Sequence, residues 1–554
     1  MPLTHRQTLG AGDILGTGTL SPYRAVVARP GEEHVIRSEL LAEPGASPAG
    51  DGQALPAGER RAIACVAHMT DLHVGDVQSP ARFEFFNREF RDPRFAGLVP
   101  TQRPQEALAA HALAALVHSL NGGLAGPITG AAPELVLTGG DAIDNGQHNE
   151  VRTLLRLLDG GRVDPNSGAP EYEGVQSVDW PDDIFWVPDG RPGTSDIFVR
   201  DYGYPLLPGL LQRALLPFES PGLRLPWLGC HGNHDTLCQG VGLMTPALRN
   251  ALVARRKPIA LPDGFDRDQA HDTFVHRPED FFAGPTIDVT PDAERRPCSI
   301  GEYVSAHGDG AAPRGHGFDE RNLRDHTAFH VHDTAPVRFI VLDTACPGGS
   351  ADLCMDETQL AWLEDRLAEV HSSYRTADGQ RVQTGAGDRL VVVVSHHGSY
   401  GPMSSRPHAD GTIPGAGAWL LSTLLRFDNV VLWLNGHTHI HAIHARPAPG
   451  GEGRGLWEVT TGSLVDWPCQ ARLVELFDAG DGVLGIASTM IDHDGPAESE
   501  HAETTLEMAA LHRELAANFP MAGFGSVLEG TRLDRNAIML RPIGFALPRA
   551  AGIA

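Results

Sequence analysis

Residues 134–145 read ELVLTGGDAIDN: an apolar run from Leu135 to Leu137, a closing Thr138, a glycine pair, and then Asp141, Asp144 and Asn145. A short apolar run that stops at a polar loop is the signature of a buried strand. The same grammar recurs on either side of it. Upstream, Ala62-Ile63-Ala64-Cys65-Val66-Ala67 runs into Asp71 and His73, and Gln105 to Leu120 between the two strands has helical periodicity. Downstream, Gln147 to Leu158 reads as a helix, and Leu225-Pro226-Trp227-Leu228-Gly229 leads to Asn233 and His234. Val337 to Asp343 is a further strand, followed by a helix over Asp356 to Val370. Leu390–Val394 and Val430–Leu434 are apolar at consecutive positions, as strands covered on both faces are. They lead to His396-His397 and to His437-Thr438-His439. Leu456–Val459, Ala471–Leu476 and Gly485–Met490 alternate, which predicts antiparallel strands closing a second sheet. Strand, polar loop and helix in series mean an α/β layered fold with its polar groups at the carboxyl ends of the strands.

The polar groups form a ligand set. Asp71 and His73, two residues apart on an extended loop, can point at one ion. Asp141 can bridge two ions with one carboxylate, Asn233 offers a neutral oxygen, and His396 or His397 an imidazole. His437 and His439 can serve one metal each. Carboxylate oxygen mixed with imidazole nitrogen suits two divalent ions of the Mn, Fe or Zn type. Such a pair, about 3.5–4 Å apart, holds a hydroxide between its members for in-line attack on phosphorus. His234, beside a ligand but free to face a substrate, suits protonation of the leaving oxygen. Asp235 is expected to orient and polarise it from behind. Each fragment alone is common; their joint occurrence in this order, each after a strand, is what points to a two-metal phosphoesterase.

These motifs resemble the calcineurin-like metallophosphoesterase superfamily, whose pattern runs D-x-H, G-D-x-x-[DE], G-N-H-[DE], an isolated His and G-H-x-H. The resemblance spans about Ala62 to Asp494, and residues 141–150 with Trp457 to Leu476 look like a large actinobacterial branch. It implies a four-layer α/β/β/α sandwich with a two-metal site at the carboxyl ends of the strands. Residue by residue, it implies one metal on Asp71, His73, Asp141 and His439 and the other on Asp141, Asn233, His396 and His437. His234 is then the acid, and His397 supports its neighbour. A purple acid phosphatase would carry a tyrosine where Asp144 stands, so a tyrosinate-ligated centre is disfavoured.

Composition narrows the partners. The 554 residues are 41% hydrophobic and 21% charged, enough for a sizeable core. With 44 basic against 70 acidic residues the formal charge is −26, which argues against nucleic-acid polymers as partners but not against small phosphate esters bound through cations. The seven cysteines form no disulfide framework, and Cys346 and Cys354 are expected as reduced thiols in a loop. Lys257 is the only lysine. No secretory leader or membrane-spanning run is visible, so the expected location is cytoplasmic. The chain divides into an extended, partly mobile arm (1–60), a catalytic domain (61–495) with insertions at about 160–223 and 239–336 as lids or substrate walls, and a C-terminal tail (496–554) of one amphipathic helix and a Pro-rich end.

The expected activity is that of a phosphodiesterase, the enlarged region between the third and fourth motifs shaping a pocket around a two-sided ester. The alternative is a phosphomonoesterase or nucleotidase using the same metals. A non-catalytic scaffold of the same fold ranks below both, because all eight residues assigned as ligands or acid are present. Arg82, Arg200 and Arg224 are candidate phosphate clamps; Asn145, Gln147 and Asn149 either touch substrate or cap a helix; Asp466 and Trp467 are candidate pocket walls.

Overall fold

The computed structural model describes residues 3–41, 60–308, 313–400, 416–451, 453–499 and 502–547. Part of the arm read as mobile, residues 42–59, lies outside them. Two mixed sheets organise the chain. It first lays down β1 (Val35–Arg37), β2 (Arg61–Met69), β3 (Leu135–Thr138) and β4 (Trp227–Leu228). It then builds a second sheet from β5 (His330–Asp333), β6 (Val337–Val341), β7 (Leu390–Val394), β8 (Val430–Asn435), β9 (Ala442–Arg446) and β10 (Leu456–Thr460). The return to the first sheet uses β11 (Gln470–Gly480), β12 (Val483–Asp492) and β13 (Ala537–Pro542). Strand order is β1-β13-β12-β11-β2-β3-β4 in one sheet and β5-β6-β7-β8-β10-β9 in the other. Within them β2, β3 and β4 run parallel, as do β6, β7, β8 and β10.

Alternation explains why the strands are apolar at every position. Along β7, Leu390, Val392 and Val394 join Ala64 and Val66 of β2 in one core between the sheets. Val391 and Val393 face the other way, against Leu363 and Leu367 of α3 (Glu357–Ala368) and Leu420 and Leu424 of α4 (Ala416–Leu424). On β2, Cys65, Ala67 and Met69 pack with Leu113 and Leu116 of α1 (Ala109–Asn121) and Leu154 of α2 (His148–Asp159). Central strands such as β2 and β7 thus have one face on the other sheet and one under helices, while outer strands keep exposed positions such as Asp333 of β5.

Several expectations are corrected. The three alternating runs do not share one sheet: β10 lies in the second, parallel to β8 and antiparallel to β9, while β11 and β12 pair antiparallel as expected but extend the first. Period-two alternation reports which face is buried and carries no information on the pairing partner. The helix in the C-terminal stretch, α5 (Thr505–Ala517), is not amphipathic, being buried on all sides from Met508 onward. Arg513 there donates through Nη1 and Nη2 to the carbonyls of His493, Gly495 and Pro496. Beyond it, within the supposed tail, β13 is an interior strand of the first sheet, and β5 falls inside the second stretch read as an insertion. Cys346 and Cys354 are joined as a disulfide, their Cα atoms 4.9 Å apart, in place of the reduced thiols expected. The other five cysteines are free and buried. Among the described residues no helix is long and apolar enough to cross a membrane.

Candidate metal centre

The parallel strands set the site. Beyond the last pair of β2 and β3 the two loops stay in register: Asp71 N–H donates to Gly140 O (3.0 Å) and His73 N–H to Asp141 O (3.1 Å). In the other sheet Gly436 N–H donates to His396 O at 2.9 Å, holding the loops after β7 and β8 together. Five residues here have left-handed backbone: Asp71 (φ 51°), His73 (45°), Asp141 (47°), His437 (68°) and His439 (59°). A non-glycine residue in that region costs of order 1–3 kcal/mol and persists where the surroundings over-determine it, which marks functional sites. The glycines are steric necessities: a Cβ on Gly232 would lie 2.3 Å from Asp141 Oδ1, and one on Gly436 2.4 Å from Asp71 Oδ2.

The side chains converge. His73 Nε2 and His439 Nε2 face each other at 3.2 Å, as do His396 Nε2 and His437 Nδ1. Asp71 Oδ2 accepts from Thr70 Oγ1 (2.7 Å) and His437 N–H (3.0 Å), while its Oδ1 lies 3.2 Å from His439 Nε2. Asp141 Oδ1 accepts from His234 N–H (2.8 Å), and Oδ2 lies 3.0 Å from His396 Nε2. Asn233 donates its amide to Gly240 O (2.9 Å), which leaves its buried Oδ1 without a donor; Asp71 Oδ1 also lacks one. Two pairs of imidazole nitrogens pointing at one another, with carboxylate and amide oxygens left unpaired beside them, are the donor set of divalent cations. The ligating atoms of Asp71, His73 and His439 lie within 4.8 Å of one another, as do those of Asp71, Asp141 and His396 and those of His396, His397 and His437.

Three of the four rings are fixed from behind. His73 Nδ1 lies 3.1 Å from Asp144 Oδ1, His439 Nδ1 2.7 Å from Asp466 Oδ2, and His396 Nδ1 2.8 Å from Gly139 O. Burial opposes charge on His396 and His439, but Asp141 beside the first and Asp71 beside the second lift each to about 9. Burial likewise opposes ionisation of Asp144 and Asp466, yet Arg82 and Arg103 hold both carboxyls well below the usual range. For His437 burial prevails, with His396 adding repulsion, and the imidazole falls to about 3.

Of the adjacent histidines, His396 faces Asp141 and His437, while His397 has Nδ1 on Thr344 Oγ1 (2.9 Å) and Nε2 on Ala351 O (3.1 Å). Asp235 does not stand behind His234. Its carboxylate accepts from Ala142 N–H (2.9 Å), Ile143 N–H (3.0 Å) and Gly232 N–H (2.7 Å), so it ties two loops together. The partner of His234 is Asp144, through its carbonyl at 2.7 Å from Nδ1 and its carboxylate at 3.7 Å. Asp144 stands at the [DE] position of the second motif, but the motif does not say which side chain it holds. Arg82 is no phosphate clamp, being buried and paired with Glu106 (2.8 Å) and Asp144 (3.2 Å). Exposed Arg200 pairs with Asp201. Asn145, Gln147 and Asn149 are buried in loop and capping contacts; Asp466 holds His439, and Trp467 is buried against Phe524. A separate cavity of about 610 Å³ is lined by His231, Thr236 and Leu237 of the Asn233 loop and by Met244, Ile300 and Phe329.

Neither a family model nor a curated protein sequence matches the chain. Among solved structures it is similar to a dimetal phosphatase from Danio rerio, at 11% identity over 78% of this chain and 99% of that one, with a TM-score of 0.30. It is similar also to a purple acid phosphatase from yellow lupin (Lupinus luteus) seeds, at 9% identity over 87% of this chain and 66% of that one, with a TM-score of 0.30.

Proposed function

We propose that the chain is a metal-dependent phosphoric ester hydrolase with two divalent cations, Mn, Fe or Zn, in a four-layer α/β/β/α sandwich. The observation that carries this reading is the convergence of Asp71, His73, Asp141, His396, His437 and His439 at the carboxyl ends of β2, β3, β7 and β8, with the unpaired oxygen of Asn233 on the loop after β4. On this reading Asp71, His73, Asp141 and His439 hold one cation and Asp141, Asn233, His396 and His437 the other. When bound, the cations supply Lewis acidity and an activated water.

The chain's own residues do the rest. Asp144 and Asp466 lock the rings of His73 and His439 so that their free nitrogens face inward. His234 is partly exposed and held through Nδ1 on the Asp144 carbonyl, so its Nε2 can deliver a proton to a leaving alcohol. Strongly acidic composition disfavours nucleic-acid polymers and leaves small phosphate esters as the substrate class.

Within that class we favour diesters. The second long stretch between motifs supplies Met244, Ile300 and Phe329 to the cavity whose other wall includes Thr236 and Leu237, just beyond His234. No candidate ligand lines that cavity, so on this reading it receives the ester arm remote from the metals, an arm that a monoester lacks. The test is hydrolysis of bis(p-nitrophenyl) phosphate against p-nitrophenyl phosphate by manganese-loaded protein. Faster turnover of the diester is the expected result. Faster turnover of the monoester makes the phosphatase reading the correct one, and no turnover of either with two metals bound overturns the enzyme reading in favour of a scaffold.

A further inference from the structure

We infer that a buried relay of five charged residues, Asp144, Arg82, Glu106, Arg103 and Asp466, is a positioning device that sets the spacing of His73 and His439 and so tunes one metal site selectively. The inference rests on the metal-centre reading above. Starting from His73, Nδ1 meets Asp144 Oδ1 at 3.1 Å, and Asp144 Oδ2 meets Arg82 Nη2 at 3.2 Å. The same Arg82 nitrogen donates to Glu106 Oε2 at 2.8 Å and to Thr101 O at 3.3 Å. Glu106 Oε1 accepts the backbone N–H of Arg103 at 2.9 Å, with the Arg103 guanidinium 4.0 Å away. Arg103 then grips Asp466 with two prongs, Nε to Oδ1 at 2.8 Å and Nη2 to Oδ2 at 3.1 Å. Asp466 Oδ2 closes on His439 Nδ1 at 2.7 Å, and the free nitrogens of His73 and His439 meet at 3.2 Å, so the chain of contacts forms a ring.

Two features separate this ring from ordinary core polarity. First, its members come from four separate stretches of chain: the loop before α1, the turn at residues 80–82, the loop after β3 and the loop between β10 and β11. Tying these together is what fixes the distance between two imidazoles on different sheets. Second, the links between the two histidines are all buried or nearly so: the side chains of Arg82, Asp144, Asp466, Glu106 and Arg103 are 1%, 6%, 4%, 8% and 12% exposed. Buried ion pairs seldom improve stability over a well-packed apolar core, since desolvation offsets the attraction, so their placement here serves geometry.

The experiment is a cobalt(II) titration of the full chain against a competing chelator, following both binding steps and the visible cobalt spectrum, for the unmodified protein, Glu106→Gln and Arg103→Lys. Glu106→Gln keeps the shape but turns one acceptor into a donor facing a donor. We expect it to weaken one binding step about tenfold, the size of loss that partners of metal-binding histidines show. The cobalt bands of that step should shift, while the other step stays unchanged. Arg103→Lys keeps the charge but loses the two-pronged grip, and should give a smaller loss at the same step. Both steps unchanged, or both weakened equally, overturns the relay, because a merely structural role loosens the whole site. Should Glu106→Gln fail to fold, Arg103→Lys alone decides between these outcomes. An unmodified chain that binds no cobalt sinks the metal-centre reading itself and the relay with it.

Discussion

Asp235 and His234 sit side by side in the chain and do different work. Asp235 accepts three backbone N–H bonds from the loops that carry Asp141 and Asn233, so its removal leaves buried donors unpaired. Asp235→Ala should destabilise the protein by about 2–4 kcal/mol in chemical denaturation, the cost expected for several orphaned donors beside a lost charge. Asp235→Asn should slow all esters alike. His234→Ala should keep full metal content and lose about 10²–10⁴ in rate on esters with poor leaving groups, with little loss on p-nitrophenyl esters. Equal loss across a series of leaving groups would show that the ring is not the acid. Asn233→Ala removes the unpaired oxygen, so metal analysis should find one tightly held cation per chain in place of two. A fully loaded, fully active variant would remove Asn233 from the ligand set.

Elements place these residues through close backbone approach. Gly436 lies between β8 and His437, and a Cβ there would sit 2.2 Å from Thr70 Oγ1 and 2.4 Å from Asp71 Oδ2. Thr70 and Asp71 belong to the other sheet, so even a methyl pushes the two sheets apart at the site. Gly436→Ala should therefore cost metal affinity at least about tenfold, in line with losses on disturbing the surroundings of a ligand. The measurement is a chelator competition, with the melting temperature of the metal-free chain recorded beside it. At this scale the sequence was informative where strands are short and doubly covered: the runs at 390–394 and 430–434 fall in the strands β7 (Leu390–Val394) and β8 (Val430–Asn435). It was uninformative where burial comes from elements far along the chain. Nothing in residues 505–517 shows that α1 and the hairpin of residues 7–16 and 23–30 enclose α5, or that Glu514 has Tyr23 OH as partner at 3.0 Å.

For the whole molecule, buried histidines outside the site set the acid limit. Burial pushes His111, His330 and His371 each down to about 4. Their unfolded value is about 6.5, so below it the unfolded chain takes up protons that the folded chain refuses. Stability from these groups is complete above about pH 6.5 and is lost as pH falls toward 4, with a slope near 1.4 kcal/mol per pH unit for each ring. Urea denaturation of the metal-free chain at pH 7.5 and pH 5 should show a loss of several kcal/mol. An unchanged midpoint would contradict the neutral burial of these rings.

The residues that converge were legible in the sequence because each motif is local: a strand end followed within five positions by a candidate ligand. The α/β layering was legible for the same reason, since both-face burial writes itself into consecutive apolar residues. Which strands pair, where Asp235 points, and that Asp144 rather than Asp235 backs His234 were decided by the tertiary structure alone. So was the relay through Arg82, Glu106 and Arg103, residues whose bland local context gives no sign of a partner more than 350 positions away in Asp466. Local pattern reports burial and backbone form; which charges meet is set by how distant segments stack, and no window of sequence contains that information.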